Sequence, residues 1–341
     1  MRCSDSIVPY GVTNTTFLAD VYAHLAVHMF REYQSPCYVI EGGSGSCQFG
    51  YLLIKRIQDL KQQFGLEKLD IRVVLTDLHE GVLASCQKKE CFAELIRQGL
   101  ADFCVLDADD DPLCLVSRIT QRELGMAEDS PVMLIGNYFF DSLRSDIFIK
   151  RGQTYYEGLV HTVASKGGHI HPTSVHVSQG HRIALAGAAE SPLYYPEPYL
   201  NDALHHVLND VDQDAVITFP TQALRLIHAL SRRSKFSLIC SDVAETRHYS
   251  GRFELSQLTP HRNCFCIPVD FRSLGKALER VLDSAMYQVT SRWNSSLDTL
   301  YATTFCPEAL LFDALMGGVG PSEMDLINVG RLVNKHESTV T

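Results

Sequence analysis

Cys37-Tyr-Val-Ile-Glu-Gly-Gly-Ser-Gly-Ser46 is a short apolar run that ends in an acid and then in three glycines. A helical pattern follows from Phe49 to Phe64, with Leu52, Leu53, Ile57 and Leu60 on one face. A strand, a glycine turn and a helix make half of a βαβ unit. Glycine lets the backbone take positive φ and approach a ligand closely, and the helix start behind it offers free N–H groups and a positive dipole end. The same glycines also serve a plain tight turn, so the loop alone leaves both readings open. No Gly-Lys-Ser/Thr follows, which excludes a P-loop, and Gly43-x-Gly45 is followed by Gln48 where the dinucleotide fingerprint has a third glycine.

Outward from this loop the alternation repeats. An amphipathic helix over 15 to 33 carries Phe17, Leu18, Val21, Leu25 and Met29 at helical spacing. Downstream come the strand Ile71-Arg-Val-Val-Leu-Thr-Asp77, a helix at about 80 to 97, and the strand Phe103-Cys-Val-Leu-Asp107. A helix at about 112 to 124 and the strand Pro131-Val-Met-Leu-Ile-Gly-Asn137 complete the series. Four apolar strands alternating with helices imply a parallel sheet with right-handed crossovers. Past Asp141 the pattern changes. Residues 147 to 160 read as a hairpin around Arg151-Gly152, and 164 to 199 as an irregular His-, Gly- and Pro-rich insertion. Helices are expected at about 200 to 211 and 220 to 232. A fifth strand is expected at Phe236–Cys240, another at Cys264–Phe271, and a helix at 273 to 287. The last 50 residues read as helical, broken at Gly317-Gly-Val-Gly320.

The chain has 341 residues, 45% hydrophobic and 21% charged, with 30 basic against 40 acidic side chains and a formal charge of −10. That is enough for one large α/β domain with a sizeable core. The negative charge disfavours general attraction to phosphate backbones, so no nucleic-acid partner is expected. The N-terminus has no apolar signal core, and no stretch reaches the ~18 apolar residues a spanning helix needs. A protein without a membrane span is expected, cytoplasmic ahead of mitochondrial. The 11 cysteines contain no CxxC pair and sit largely in apolar runs, as free buried thiols do.

Acids recur at strand ends. Asp77 stands where a carboxylate accepts hydrogen bonds from ribose hydroxyls; it also suits an N-cap for a helix starting near Gly81. Asp107-Ala108 stands where an adenine amine would be met, although Asp107 to Asp111 also reads as a solvated acidic loop. Asn137-Tyr-Phe-Phe-Asp141 puts an amide and a carboxylate beside aromatics at a strand's carboxyl end, which suits a reaction site.

Taken in order, Glu41-Gly-x-Ser-Gly45, Asp77, Asp107 and Asn137 resemble a class I S-adenosylmethionine-dependent methyltransferase. More narrowly, Ile135-Gly-Asn-Tyr-Phe-Phe-Asp-Ser-Leu143 resembles a segment of the MidA family, which includes the mitochondrial complex I assembly methyltransferase. It is closer still to MidA-like proteins fused to tetratricopeptide repeats. Phe148 to Val160, Ser237 to Asp242 and Val269-Asp-Phe-Arg-Ser-Leu274 agree with later parts of that family, so the likeness spans about residues 8 to 285. It implies one α/β domain of Rossmann-like methyltransferase type. Residues 1–143 would form the cofactor half, 144–235 an inserted cap that contributes the acceptor pocket, and 236–341 the remaining strands and helices. It implies S-adenosylmethionine as cofactor, held by Glu41, Gly42, Gly43 and Gly45 at the methionine part, Asp77 and Leu78 at the ribose, and Asp107 and Ala108 at the adenine. Asn137 would lie near the methionine amine and the methyl group. Asp141 would orient or deprotonate the acceptor, or else cap the following turn. Tyr10, Asn14 and Tyr138 are expected on the acceptor side. Tyr138 stands where MidA proper has Glu, Arg144 replaces a proline, and the 242–261 loop differs, so arginine methylation does not carry over with the fold.

The acceptor, a protein side chain or a small molecule bearing N or O, stays open, as does homodimer formation. Two other classes remain. One is a catalytically weak cofactor-binding assembly factor, and the other is an NAD-dependent enzyme sharing the Asp77 contact. A serine hydrolase is excluded because no G-x-S-x-G elbow occurs. His161, His169, His171, His176 and His181 read as a surface loop ahead of a metal site, and no metal is expected.

Overall fold

The computed structural model describes residues 13–110, 114–127, 129–152, 154–164, 170–183, 194–211, 215–233, 235–243, 259–261, 264–282, 286–290 and 297–303. By contacts the chain divides into two units. One is built within Ile7–Asn137 and Leu230–Ile239, the other within Tyr138–Ala229 and Cys240–Thr304.

The first unit starts with α1 (Thr16–Phe30), whose N-cap Thr15 accepts the Leu18 N–H through its hydroxyl at 3.3 Å. Strand β1 (Cys37–Glu41) is buried throughout and leads through the glycine turn into α2 (Gln48–Gln63). Next come β2 (Ile71–Asp77), α3 (Glu80–Gln87), α4 (Glu90–Arg97), β3 (Ala101–Val105) and β4 (Val132–Asn137). Strand β1 pairs in parallel with β2 (Val39 opposite Val73) and β4 (Val39 opposite Met133), and β2 pairs in parallel with β3 (Leu75 opposite Phe103). The expected βαβ order is present. Two expectations fail here. The helix at 80 to 97 is two helices, because the chain turns at Lys88-Lys89. No helix forms over 114–124, the described part of the segment expected at 112 to 124. Residues 114–124 run beside β3 through the antiparallel bridges Cys104–Ser117 and Val116–Glu123, and Ser117 Oγ pins the turn by donating to Asp102 at 2.8 Å. A hydrophobic count sees Leu115, Val116 and Ile119 at helical spacing; it does not see Ser117 competing for the backbone, since it accepts the Ile119 and Thr120 N–H groups at 3.1 and 3.0 Å.

In the second unit, β5 (Asp146–Arg151) and β6 (Thr154–Ala164) form the expected hairpin with Gly152 at φ +58°. Strand β7 (Ile170–Ile183) then pairs with β6, and β8 (Val216–Phe219) with β5, giving a four-stranded sheet β7-β6-β5-β8. The segment read as irregular therefore contains a 14-residue strand; His171, His176 and His181 lie along it rather than on a loop. Helices α5 (Pro198–Asn209) and α6 (Thr221–Arg233) match their expected places. Strand β9 (Phe236–Val243) begins within the first unit's Leu230–Ile239 and ends in the second; the short strands β10 (Thr259–His261) and β11 (Cys264–Cys266) come later in the chain. Helix α7 (Phe271–Val281) is capped by Asp270, which accepts the Ser273 N–H at 3.0 Å. Strands β12 (Met286–Thr290) and β13 (Leu297–Thr303) are antiparallel. A strand thus occupies 297–303, where the tail was read as helix; Gly317–Gly320 lie outside the described residues.

Among the described residues, the main sheet has seven strands in the order β3-β2-β1-β4-β9-β13-β12. This is a Rossmann-like sheet. The β13 strand, reversed against β12, separates it from the dinucleotide order 3-2-1-4-5-6. Among the described residues no helix is long and apolar enough to cross a membrane.

Candidate active site

Glu41 ends β1 and is 4% exposed. Its Oε2 is buried with no hydrogen-bond partner among the described residues. Burial pushes its carboxyl up to about 8, and the Ser44 hydroxyl draws it partly back. Room for this side chain comes from Gly50 in α2. A β-carbon there would run into Leu75 Cδ2 and come within 2.5 Å of Glu41 Oε2. Glycine inside a helix costs about 0.5–1 kcal/mol relative to alanine. Here it lets α2 lie close against β2 and the carboxylate.

The turn after Glu41 is tied down at several points. The Gly42 N–H donates to Ile135 O at 2.8 Å and the Ser44 N–H to Thr76 O at 2.6 Å. Thr76 Oγ1 donates to Glu41 O at 2.6 Å. Gly43 and Gly45 take φ of +64° and +49°, and non-glycine Cys47 takes +59°. Asp77, at the end of β2, accepts the Gly45 N–H on Oδ2 at 3.2 Å and the His79 N–H on Oδ1 at 2.9 Å. It is therefore not the cap of α3; His79 occupies that position, with no side-chain capping bond. Leu78 beside it is 56% exposed.

Asp107 lies two residues past β3 and accepts the Asp109 N–H at 3.0 Å, while Ala108 is buried. Leu106 donates its N–H to Asp77 O at 3.2 Å, so the ends of β2 and β3 stay together. Asn137 closes β4. Its Oδ1 accepts the hydroxyl of fully buried Tyr22 at 3.2 Å, and its Nδ2 is buried with no partner among the described residues. Glu41, Asp77, Asp107 and Asn137 thus share the carboxyl ends of four neighbouring strands. The orphaned Glu41 oxygen and Asn137 amide, the glycine turn and the strand-end carboxylates fit a ligand that brings a cation, hydroxyls and a planar ring.

In the second unit, Tyr138 takes φ +50°, uncommon for a bulky residue, and gives its N–H to Ser241 O at 2.9 Å. Its hydroxyl is buried with no partner among the described residues. Burial first, then Asp242 and Asp141, push its phenol far above the usual tyrosine range. Asp141 lies inside the single 3-10 turn Phe140–Ser142, so it does not cap that turn. Asp242 holds the turn instead. It is 0% exposed, and its Oδ2 accepts the Phe140 and Asp141 N–H groups at 3.0 and 3.1 Å. Asp141 Oδ1 meets the Ser142 hydroxyl at 3.3 Å. Asn14 is half-buried just ahead of α1; Tyr10 and His169 lie outside the described residues. Among those residues no group of three or more His, Cys, Asp or Glu could hold a metal.

Three site residues escape a motif reading. Gly50 had a signal, a glycine early in a helix just after the loop. Asp242 had a weaker one, an acid ending an apolar strand. Tyr22 had none, because it reads as one more apolar residue of α1.

No protein family and no curated protein matches the sequence. Among solved structures, the chain is similar to a COG1565 superfamily protein from Burkholderia thailandensis, at 13% identity over 96% of this chain and 76% of that one, TM-score 0.49. A second COG1565 superfamily member from the same organism was solved bound to S-adenosyl-homocysteine; it shares 14% identity over 92% and 71%, TM-score 0.49. The plantazolicin methyltransferase BpumL, in complex with the same molecule, shares 8% over 86% and 85%, TM-score 0.37. At such identities the functional reading rests on the chain's own residues.

Proposed function

We propose that this chain is an S-adenosylmethionine-dependent methyltransferase acting on an N or O acceptor, a protein side chain (arginine included) or a small molecule. The observation that carries the reading is the buried Glu41 carboxylate, with an unpartnered oxygen, behind a positive-φ glycine turn that Asp77 holds from the next strand. When bound, the cofactor supplies a methyl group on a sulfonium for in-line attack. Glu41 offers a negative charge to an ammonium, and the turn's backbone admits a ligand closely. Asp77 keeps lone pairs for two hydroxyls beyond the bonds it already accepts, and Leu78 and Ala108 offer apolar contact to a ring. Asn137, its amide oxygen occupied by Tyr22, presents an N–H donor. Asp141 accepts a proton from the acceptor's N–H or O–H or orients it, and Asp242 fixes the backbone that carries Asp141. Most of the rate then comes from positioning.

The reversed β13 and the missing third loop glycine weigh against the nicotinamide alternative. Transfer of a radiolabelled methyl group into lysate fractions separated by size tests the activity. Label in protein fractions, lost with Asp141→Asn, identifies a protein acceptor, and label in the low-mass fraction a small one. Silence in both contradicts catalysis and leaves the binding-factor reading.

A further inference from the structure

At the opposite, amino-terminal ends of β1, β2 and β3 lies a cavity of about 590 Å³, within the size range of small-molecule sites. Lys61, in the last turn of α2, lines it and is only 6% exposed. Its ammonium has no hydrogen bond or ion pair among the described residues, and burial lowers its pKa against a smaller opposing effect from Asp70 and Glu67.

A lysine at a helix end ordinarily answers free carbonyls. Here those carbonyls are taken. Leu60 O receives the Phe64 N–H at 2.9 Å, Lys61 O the Leu66 N–H at 2.7 Å and Gln62 O the Gly65 N–H at 3.3 Å. The α4 end facing the same cavity is closed as well, with Glu94, Leu95 and Ile96 carbonyls bonded to Gln98, Leu100 and Gly99. Of the three carboxylates around it, two are engaged with other groups. Asp70 is taken by a two-point bond from Arg72 at 3.2 and 2.8 Å. Asp102 accepts Ser117 Oγ and the Phe103 N–H, and burial raises its pKa toward the neutral acid. Glu67 is exposed. Lys68 adds a second cation to the rim, and Val74, Ile96, Ile119 and Leu124 give apolar walls.

We propose that this cavity binds a small organic oxyanion, a carboxylate or phosphate on a flat apolar body, with the Lys61 ammonium as its counter-charge. The proposal is independent of the methyltransferase reading, since none of its residues belongs to the Glu41 side of the sheet. A partly desolvated cation without a partner has lost some of its hydration, and a charge-assisted bond to an oxyanion offsets that loss.

The test uses the full chain with four probes, benzoate, phenyl phosphate, benzylamine and benzyl alcohol, followed by methyl NMR of Val74, Ile96 and Leu124 and by the 13Cε signal of Lys61. Saturable shifts are expected with benzoate or phenyl phosphate, and the stronger of the two identifies the oxyanion. The same probe should raise the Lys61 pKa and bind at least tenfold more weakly to Lys61→Met. Because the variant keeps the apolar stem and drops the charge, its thermal midpoint without ligand should match or exceed wild type, which separates lost binding from misfolding. Equal binding of benzylamine and benzoate, no saturable shift with either oxyanion, or unchanged affinity in Lys61→Met overturns the proposal.

Discussion

Gly50 and Glu41 share one space, since a β-carbon on the first would come within 2.5 Å of Oε2 on the second. In dinucleotide folds a third loop glycine allows close packing of helix on strand. Gly50 does that work here from the first turn of α2, and it also clears room for a buried carboxylate. Gly50→Ala should cost about 1–3 kcal/mol of stability through overpacking and abolish binding of S-adenosyl-homocysteine. Urea unfolding and calorimetry measure the two effects. An alanine variant of unchanged stability and affinity would show that the packing is looser than described.

Glu41 should make the ligand-free protein lose stability as pH rises. Its folded-state pKa of about 8 lies above the ordinary 4.5, so between those values the unfolded chain releases a proton that the folded chain keeps. Stability from this group is complete below about pH 4.5, declines by about 1.4 kcal/mol for each pH unit, and levels off above about 8. Glu41→Gln removes that slope. Its thermal midpoint should equal wild type near pH 4.5 and exceed it progressively up to pH 8. Parallel pH profiles for the two proteins would contradict a buried neutral acid.

Asp242→Ala should cost about 2–4 kcal/mol, because two N–H groups of the 138–142 segment lose a charged acceptor. Asp242→Asn keeps one acceptor oxygen and should recover about half of the loss. Equal losses from Ala and Asn in denaturant titrations would assign the effect to something other than these two bonds.

Tyr22→Phe removes one hydroxyl and leaves Asn137 Oδ1 without its 3.2 Å donor. The loss should be about 1–2 kcal/mol of stability, with a several-fold weaker affinity for S-adenosyl-homocysteine because the amide no longer has a fixed orientation. Unchanged affinity would remove Asn137 from the binding surface.

Much of the first unit was legible in the sequence. Parallel strands buried on both faces read as plain apolar runs, and each ended in a polar residue that the structure places at a carboxyl end: Glu41, Asp77 and Asn137. What stayed illegible depended on contacts between distant residues. The Ser117 turn overrode a helical pattern, since one hydroxyl bonding Asp102 and two backbone amides outweighs spacing. Strand β7 was hidden because its His, Gly and Pro content suits a loop, and composition does not reveal its pairing with β6. Strand β8, Val-Ile-Thr-Phe219, was too short to separate from the helix after it. Asp242 belongs to the same class. Its partners lie about 100 residues earlier in the chain.

The strand ends carrying Glu41 and Asp77 are proposed to hold S-adenosylmethionine. Calorimetric titration of wild type and Asp77→Ala with S-adenosyl-homocysteine, from pH 6 to 9 in two buffers of different ionisation enthalpy, tests this most directly. Pairing an ammonium with Glu41 requires a carboxyl of pKa about 8 to ionise. Binding should therefore release close to one proton at pH 6–7, tighten by up to tenfold per unit toward pH 8, and weaken at least tenfold in Asp77→Ala. No binding by wild type at any pH, or binding indifferent to both pH and Asp77, would contradict it.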